Sequence, residues 1–356
     1  MKAGNSILQQ SRQHPHRKPT MNDVARLANV GTMTVSRVLS GSARVSAATA
    51  QRVHTAVAQL NYRPNQLARA FRGHRSHSIG LIVPHLYDPF FANCAHAVTT
   101  VARERGYSVI LTTSGEDPEI EYLEAEQMLL RHVDGLAVIP ASTRQSRLTR
   151  ALLGKTPMVA FDRPVPDRSV DVVLVQNAAG ARRMTEHLLE HGHRRIAFIG
   201  LSRNLFTLHA RFQGYRQAMQ QAGLEEDVSF GCDSDENALR ILKEKLGQPE
   251  PPTAVFTSNT LATRYVLGAI ARLGIKVPGE LAFAAFDDFD LAEFTSPTLT
   301  VVRQPALEMG RAATNLLLDR ISRDEVPESG TRLVLPVEIV LRRSCGCRHR
   351  NPVVVK

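Results

Sequence analysis

Residues 20–64, TMNDVARLANVGTMTVSRVLSGSARVSAATAQRVHTAVAQLNYRP, set the tightest limit on what this chain can fold into. Apolar positions recur there at helical spacing in three bursts: Val24, Leu27 and Ala28; Val35, Val38 and Leu39; and Val53, Ala56, Val57 and Leu60. Each burst opens on a residue suited to cap a helix: Thr20 with Asp23 three residues on, Gly31, and Ser46. Three short helices with tight connections predict a helix-turn-helix unit. Its second helix has the size that enters a DNA major groove.

Charge points the same way. Residues 1–77 hold twelve of the 44 Lys/Arg and one of the 34 acids, Asp23, so the head carries the chain's whole formal excess of +10. A solvated surface would spread that excess. Its confinement to one end implies a polyanion partner, and the helical pattern favours duplex DNA over membrane or RNA. Residues 1–19 hold four bases, no acid and no apolar periodicity, the composition of a disordered basic arm. No apolar stretch follows these charges, so they do not read as a signal peptide.

From residue 78 the texture becomes α/β. IGLIVP (79–84), SVILTT (108–113), GLAVIP (135–140), MVAFDR (158–163), RIAFIG (195–200), AVFTSN (254–259) and LAFAAFD (281–287) are continuous apolar runs. Helical periods lie between them, among others at 207–222, 235–246 and 260–273. Continuous rather than alternating apolar strands fit parallel sheets covered on both faces. A stretch this long exceeds one doubly wound sheet, so two lobes are expected. A ligand would sit between them, at the carboxyl ends of strands, where Asp88, Asp162, Arg163, Asn259, Asp287 and Asp288 supply polar groups.

TMTVSRVLSG, VSAATAQRV and LNYRPN together resemble the headpiece of the LacI/GalR (lactose-repressor) family of bacterial transcription regulators, without gaps from Thr20 to about Gly73. The resemblance implies a helix-turn-helix headpiece over 20–64, a hinge helix and linker over 65–77, and a two-lobed periplasmic-binding-protein-like core over 78–344. The chain would cross between lobes near 175, 303 and 336, leaving a tail at 345–356. Thr32 and Met33 match positions that set operator preference, and Arg37 matches one that contacts guanine. Arg is the usual bidentate partner of G O6/N7; a phosphate clamp is the alternative for Arg37, and a plain surface residue for Met33. Thr20, Thr34, Ser36 and Asn61 are further candidates at the DNA backbone.

The hinge segment PNQLARAFRGHR places Asn65, Arg69, Phe71 and Arg72 at the minor groove, with Phe71 standing where the family usually has an intercalating leucine. A flexible basic linker is the simpler reading of that segment. In the core the matching motifs imply effector contacts at Asp162 (FDR), Arg211 (RFQGY), Asn259 (TSN) and Asp287 (AFDD), with Asp88, Phe90 and Phe91 from YDPFF. Asp88 can instead cap a helix, Asp288 can serve a turn, and Phe90 and Phe91 can be lobe core. Two departures stand out. Gln176-Asn177 replaces the family's Asp-Asn pair, and Thr260 replaces an Asp after TSN. Each removes a negative charge and so favours an acidic effector such as a sugar acid.

The partners expected are double-stranded operator DNA, a sugar or sugar-acid effector, and a second copy of the chain. The end of the chain carries no leucine-heptad tail, which predicts a homodimer rather than a tetramer. No enzyme signature appears: there is no Gly-x-Gly-x-x-Gly opening a helix, no P-loop, no His-Glu-x-x-His and no nucleophile elbow. No catalytic residue, cofactor or metal is therefore expected. Cys94 and Cys232 read as buried small hydrophobes. Cys345 and Cys347, beside His349, read as part of a frayed tail, since two ligands and one His do not complete a zinc site. Without a disulfide framework or an apolar run of membrane length, the expected compartment is the cytoplasm.

Overall fold

The computed structural model describes residues 19–39, 45–62, 75–323, 329–347 and 353–355. The chain divides into two compact units at His74/Arg75. The first unit contains α1 (Met21–Ala28), α2 (Thr32–Leu39) and α3 (Ala47–Gln59). Thr20 and Asp23 close a capping box on α1: the Asp23 amide donates to Thr20 Oγ1, and the Thr20 amide donates to the Asp23 carboxylate at 2.9 Å. The Gly31 carbonyl receives the Thr34 and Val35 amides and so starts α2. Ser46 caps α3. Val24, Val35, Val38, Val53 and Ala56 form the shared core, with Tyr62 packed at its edge.

The second unit is built on two sheets. The first contains β1 (Ser78–Val83), β2 (Ser108–Thr113), β3 (Gly135–Val138), β4 (Met158–Phe161), β5 (Asp171–Val175) and β11 (Arg332–Leu335), in the order β11-β5-β4-β3-β1-β2, and every pairing is parallel. The second contains β6 (Ile196–Ile199), β7 (Asp227–Ser229), β8 (Ala254–Thr257), β9 (Ala282–Phe286), β10 (Thr300–Arg303), β12 (Glu338–Leu341) and β13 (Val353–Val355), in the order β13-β12-β10-β9-β8-β6-β7. Only β12 runs antiparallel to its two neighbours. The chain thus passes between sheets after Val175, after Arg303 and between Leu335 and Glu338.

Helices cover both faces, which is why the strands are apolar at successive rather than alternate positions. One core runs continuously through both lobes, from Ile79 and Phe161 to Phe198, Phe256 and Phe286. Separate cores fill the outer face of each sheet, around Val255 and Phe283 in one and Leu136 and Leu174 in the other. The long helix Ala306–Arg323 leaves the second sheet but packs on helix Pro89–Glu104 and strands β3 to β5 of the first. Helices Asn177–Glu190 and Phe206–Gln221 approach so closely that a Cβ on Gly214 would lie 2.0 Å from the Ala178 carbonyl oxygen.

The end of the chain corrects the expectation of a frayed tail. Strand β13 pairs with β12, and Cys345 and Cys347 in the segment between them are buried and joined by a disulfide. Their neighbour is His187 on helix Asn177–Glu190, brought in by tertiary packing from far upstream; His349 lies outside the described residues. Cys94 and Cys232 are buried thiols within the apolar cores. Among the described residues, no helix is long and apolar enough to cross a membrane.

Candidate functional site

In the first unit, α2 buries Val35 and Val38 and turns its other side outward. Thr32, Met33 and Arg37 are exposed, Met33 at 65 %. Thr34 and Ser36 are half-buried. Met33 is the large apolar side chain that α2 leaves in water. No acid lies on α2, and Arg37 is the basic residue of its last turn. Thr20 donates its hydroxyl to Asp23 at 2.6 Å, so the cap engages the group expected at the DNA. Asn61 leaves α3 at φ 47°, a left-handed conformation that Asn tolerates, and its side chain is exposed. Asn65, Arg69, Phe71 and Arg72 lie outside the described residues.

In the second unit, a cleft of about 310 Å³ opens between the lobes. All seven residues expected at an effector line it: Asp88, Phe90, Phe91, Asp162, Arg211, Asn259 and Asp287. The arrangement follows from the strands. Asp162 immediately follows β4 and Asp287 immediately follows β9, one from each lobe, and both adopt positive φ, 65° and 81°. Non-glycine residues held in that region carry local strain, and such strain concentrates where a side chain must be aimed. Backbone pairing fixes the turns, since the Asp162 amide donates to the Val173 carbonyl and the Asp287 amide to the Val302 carbonyl, each at 2.9 Å.

Arg211 is the hub of the second lobe. Its Nε donates to Asn177 Oδ1 at 2.8 Å, its Nη1 to the Ser258 carbonyl at 2.8 Å, and its Nη1 lies 3.2 Å from Asp287 Oδ2. The guanidinium stacks on Phe286, 3.8 Å from the ring centroid. Gln304, where the chain returns to the first lobe, donates its side-chain amide to the other Asp287 oxygen. The Thr260 amide also reaches Asp287 Oδ2, at 3.3 Å. In the first lobe, Arg163 donates to Glu116 Oε1 at 2.8 Å and to the Pro140 carbonyl at 3.1 Å.

Asp88 and Asn259 each combine two tasks. Asp88 caps helix Pro89–Glu104 by accepting the Phe90 amide at 3.0 Å, and Asn259 caps helix Thr260–Leu273 by accepting the Ala262 amide. Both still face the cleft. Phe90 and Phe91 meet edge to face, with centroids 5.4 Å apart, and belong to the continuous core as well as the cleft wall. Asp288 is drawn away from the cleft into an ion network, accepting from Arg303 Nε at 2.8 Å and from Arg342 at 3.0 Å.

Burial raises two of the lining carboxyls. Asp88 is pushed up to about 6 by desolvation, reinforced by the Asp287 charge. Asp162 also reaches about 6 through desolvation, with Arg163 and Arg211 opposing the rise. Among the described residues, Asp162 Oδ1, Arg163 Nε, Asn177 Nδ2 and Gln304 Oε1 are buried without a hydrogen-bond partner in the protein. Such groups cost free energy unless a ligand or water bonds them, and the open oxygens of Asp162 and Gln304 belong to residues that line the cleft, which suits a hydrogen-bonding guest.

The lining carries more acids than bases. Five carboxylates, Asp88, Glu116, Asp162, Asp233 and Asp287, face the cleft beside only two guanidiniums, Arg163 and Arg211. Both guanidiniums are already matched, to Glu116 and Asp287. Losing two acids from the family pattern at Gln176 and Thr260 therefore leaves a cleft that is still negative. Sequence reasoning missed Glu116, Gln304, Asp233 and the role of Asn177. Glu116 lies three residues after β2 and Gln304 directly after β10, but nothing in their local pattern separates them from ordinary loop residues.

Comparison with known proteins agrees with this geometry. Residues 20–65 match bacterial regulatory proteins of the lacI family, and residues 185–345 match a periplasmic binding protein-like domain. The HTH-type transcriptional repressor PurR of Haemophilus influenzae (strain PittEE) is 33% identical over 330 residues, spanning 91% of this chain and 98% of its own length. The chain belongs to the LacI family. The HTH-type transcriptional repressor CytR of Escherichia coli (strain K12) is 32% identical over 328 residues, 91% of this chain and 96% of its own length. Among solved structures, a transcriptional regulator CelR–cellobiose complex shares 35% identity with a TM-score of 0.67, covering 92% of this chain and 99% of that one. As a LacI-family member the chain is a DNA-binding transcriptional repressor and not an enzyme.

Proposed function

We propose that two copies of the chain bind a pseudo-palindromic operator, each laying α2 in the major groove, and that a neutral, hydroxyl-rich small molecule in the interlobe cleft changes operator affinity. Protein two-fold symmetry is mirrored in half-site symmetry. On this reading Arg37 reads a guanine while Thr32 and Met33 set the neighbouring preference. Thr34, Ser36, Asn61 and Asn65 bond the backbone, Arg69 and Arg72 hold phosphates at the hinge, and Phe71 is the wedge at the operator centre.

The observation that carries the effector half is the Asp287 junction. One carboxylate bonds Arg211 of the second lobe and Gln304 at a lobe crossover, while its backbone is held in a left-handed conformation. A guest that takes hydrogen bonds from this junction competes with the bonds that hold the crossover. It thereby shifts the balance between lobe arrangements by its difference in affinity for the two. The excess of carboxylates supports a neutral sugar or nucleoside-like polyol over a sugar acid. The cellobiose bound to the CelR regulator is consistent with a carbohydrate class, without fixing which one this chain senses.

The test is a thermal-shift screen of the full chain against matched pairs of neutral sugars and their acids, followed by gel shifts on upstream DNA with each hit. A neutral hit that alters operator affinity supports the reading. Stabilisation by acids alone removes the charge argument.

A further inference from the structure

We propose that His187, Cys345 and Cys347, with both sulfurs reduced, form a binding site for one zinc ion. The His187 Nε2 atom lies 3.5 Å from Cys345 Sγ and 3.1 Å from Cys347 Sγ. The three ligand atoms all fall within 4.8 Å of one another. Around a tetrahedral zinc with bonds of about 2.0–2.3 Å, ligand atoms sit roughly 3.5 Å apart. The imidazole is therefore already at nearly the right separation from both sulfurs, and the metal site requires only that the two sulfurs part.

The surroundings suit a metal. Cys345 is fully buried and Cys347 nearly so, in the segment between β12 and β13. Gly346 takes φ 82°, a conformation open to glycine, and so lets the two cysteines flank a tight turn and face the same helix. Thr300 Oγ1 donates to Cys345 Sγ at 3.1 Å, the kind of outer hydrogen bond that fixes a thiolate ligand. Two thiolates buried together repel one another and are poorly solvated, and a divalent cation relieves both costs. Two thiolates and an imidazole select a borderline-soft ion such as zinc over magnesium or calcium. Three protein ligands leave a fourth tetrahedral position for water or another donor.

The chemistry is exclusive. In the disulfide neither sulfur is a thiolate, so the S–S bond and the metal cannot coexist. A trialkylphosphine opens the bond by taking oxygen from water, giving two thiols and the phosphine oxide; each thiol then loses its proton to solvent as zinc binds. The site joins the carboxyl-terminal hairpin to the helix whose first residue, Asn177, holds Arg211. The effector cleft plays no part in this inference.

The test uses the full chain, reduced anaerobically with phosphine, freed of phosphine and metal, and titrated with Zn²⁺ against a chromogenic chelator. Cobalt(II) replaces zinc for spectroscopy. One ion per chain is expected, with a cobalt–thiolate charge-transfer band. His187→Ala should weaken binding at least about 10-fold, and the Cys345→Ser/Cys347→Ser double variant should take up none. Failure of the reduced chain to take up an ion overturns the proposal, as does equal uptake by the double variant. Should the variants not fold, the unaltered chain decides alone: equal zinc uptake by its reduced and disulfide forms also overturns it.

Discussion

The Arg211 guanidinium lies 3.2 Å from the Asp287 carboxylate, and the two side chains are only 3% and 6% exposed. Removing one member of such a pair strands the other charge in a poorly solvated place, which costs about 3–5 kcal/mol. Arg211→Ala should therefore lower the unfolding free energy of the full chain, measured by urea denaturation, by about 3–5 kcal/mol and abolish effector binding. Arg211→Lys should keep the charge, lose the forked bonds to Asn177 and Asp287, and recover only part of the stability. A loss under about 1 kcal/mol for Arg211→Ala would show that the pair is not a structural hub.

Asp162 gives the pH dependence its sign. Burial raises its carboxyl from the ordinary Asp range to about 6. A raised acid holds its proton more tightly folded than unfolded, so its stability contribution is complete below the unfolded value and is lost as pH rises through about 6. Asp88 titrates in the same sense. Asp162→Asn should flatten the fall of Tm between about pH 4 and pH 7 relative to the unaltered chain. Parallel Tm–pH curves for the two proteins would contradict it.

Gly214 is required by packing rather than by its backbone angle. A methyl group there would meet the Ala178 carbonyl oxygen at 2.0 Å, and that oxygen belongs to helix backbone. Gly214→Ala gains up to about 1 kcal/mol of helix propensity but forces the two helices apart. The net loss should be about 1–3 kcal/mol. Because Asn177 and Arg211 sit on these two helices, effector affinity should fall with it. Denaturation midpoints measure the first effect and calorimetric titration the second.

Much of the fold is legible because its strands are short apolar runs buried on both faces; Leu81, Val138, Phe161, Phe198 and Phe256 lie in such runs and are fully buried. The strands outside those runs include β5, β10 and β12, which are apolar and largely buried, and two at sheet edges. β7, Asp227–Ser229, is three half-buried residues at a sheet edge, and β11, Arg332–Leu335, is mostly exposed at the other sheet's edge. β7 has no apolar signature to read, whereas β11 has one in Leu333, Val334 and Leu335 but lies mostly exposed. The cleft residues are legible where a motif ends a strand, as at Asp162 and Asp287. Gln304 enters because a crossover places it there, and His187 meets Cys345 across 158 residues of sequence. No local pattern encodes such a meeting.

Arg37 separates base reading from phosphate clamping. If it pairs with a guanine, Arg37→Ala should cost about 1–3 kcal/mol on the operator and far less on random DNA. A clamp would lose affinity equally on both and lower the salt slope by about one. Gel shifts over a salt series with specific and random duplexes distinguish these outcomes.

The link between the cleft and DNA binding is tested most directly by operator affinity with and without a cleft ligand from the thermal-shift screen. The measurement should compare the unaltered chain with Arg211→Ala and with Asp88→Asn, which retains an acceptor for the helix cap. The ligand should change the operator Kd of the unaltered chain by at least about 5-fold, a typical allosteric coupling, and leave both variants unmoved. An equal change in all three proteins, or none in the unaltered chain, would contradict control of DNA binding from the interlobe cleft.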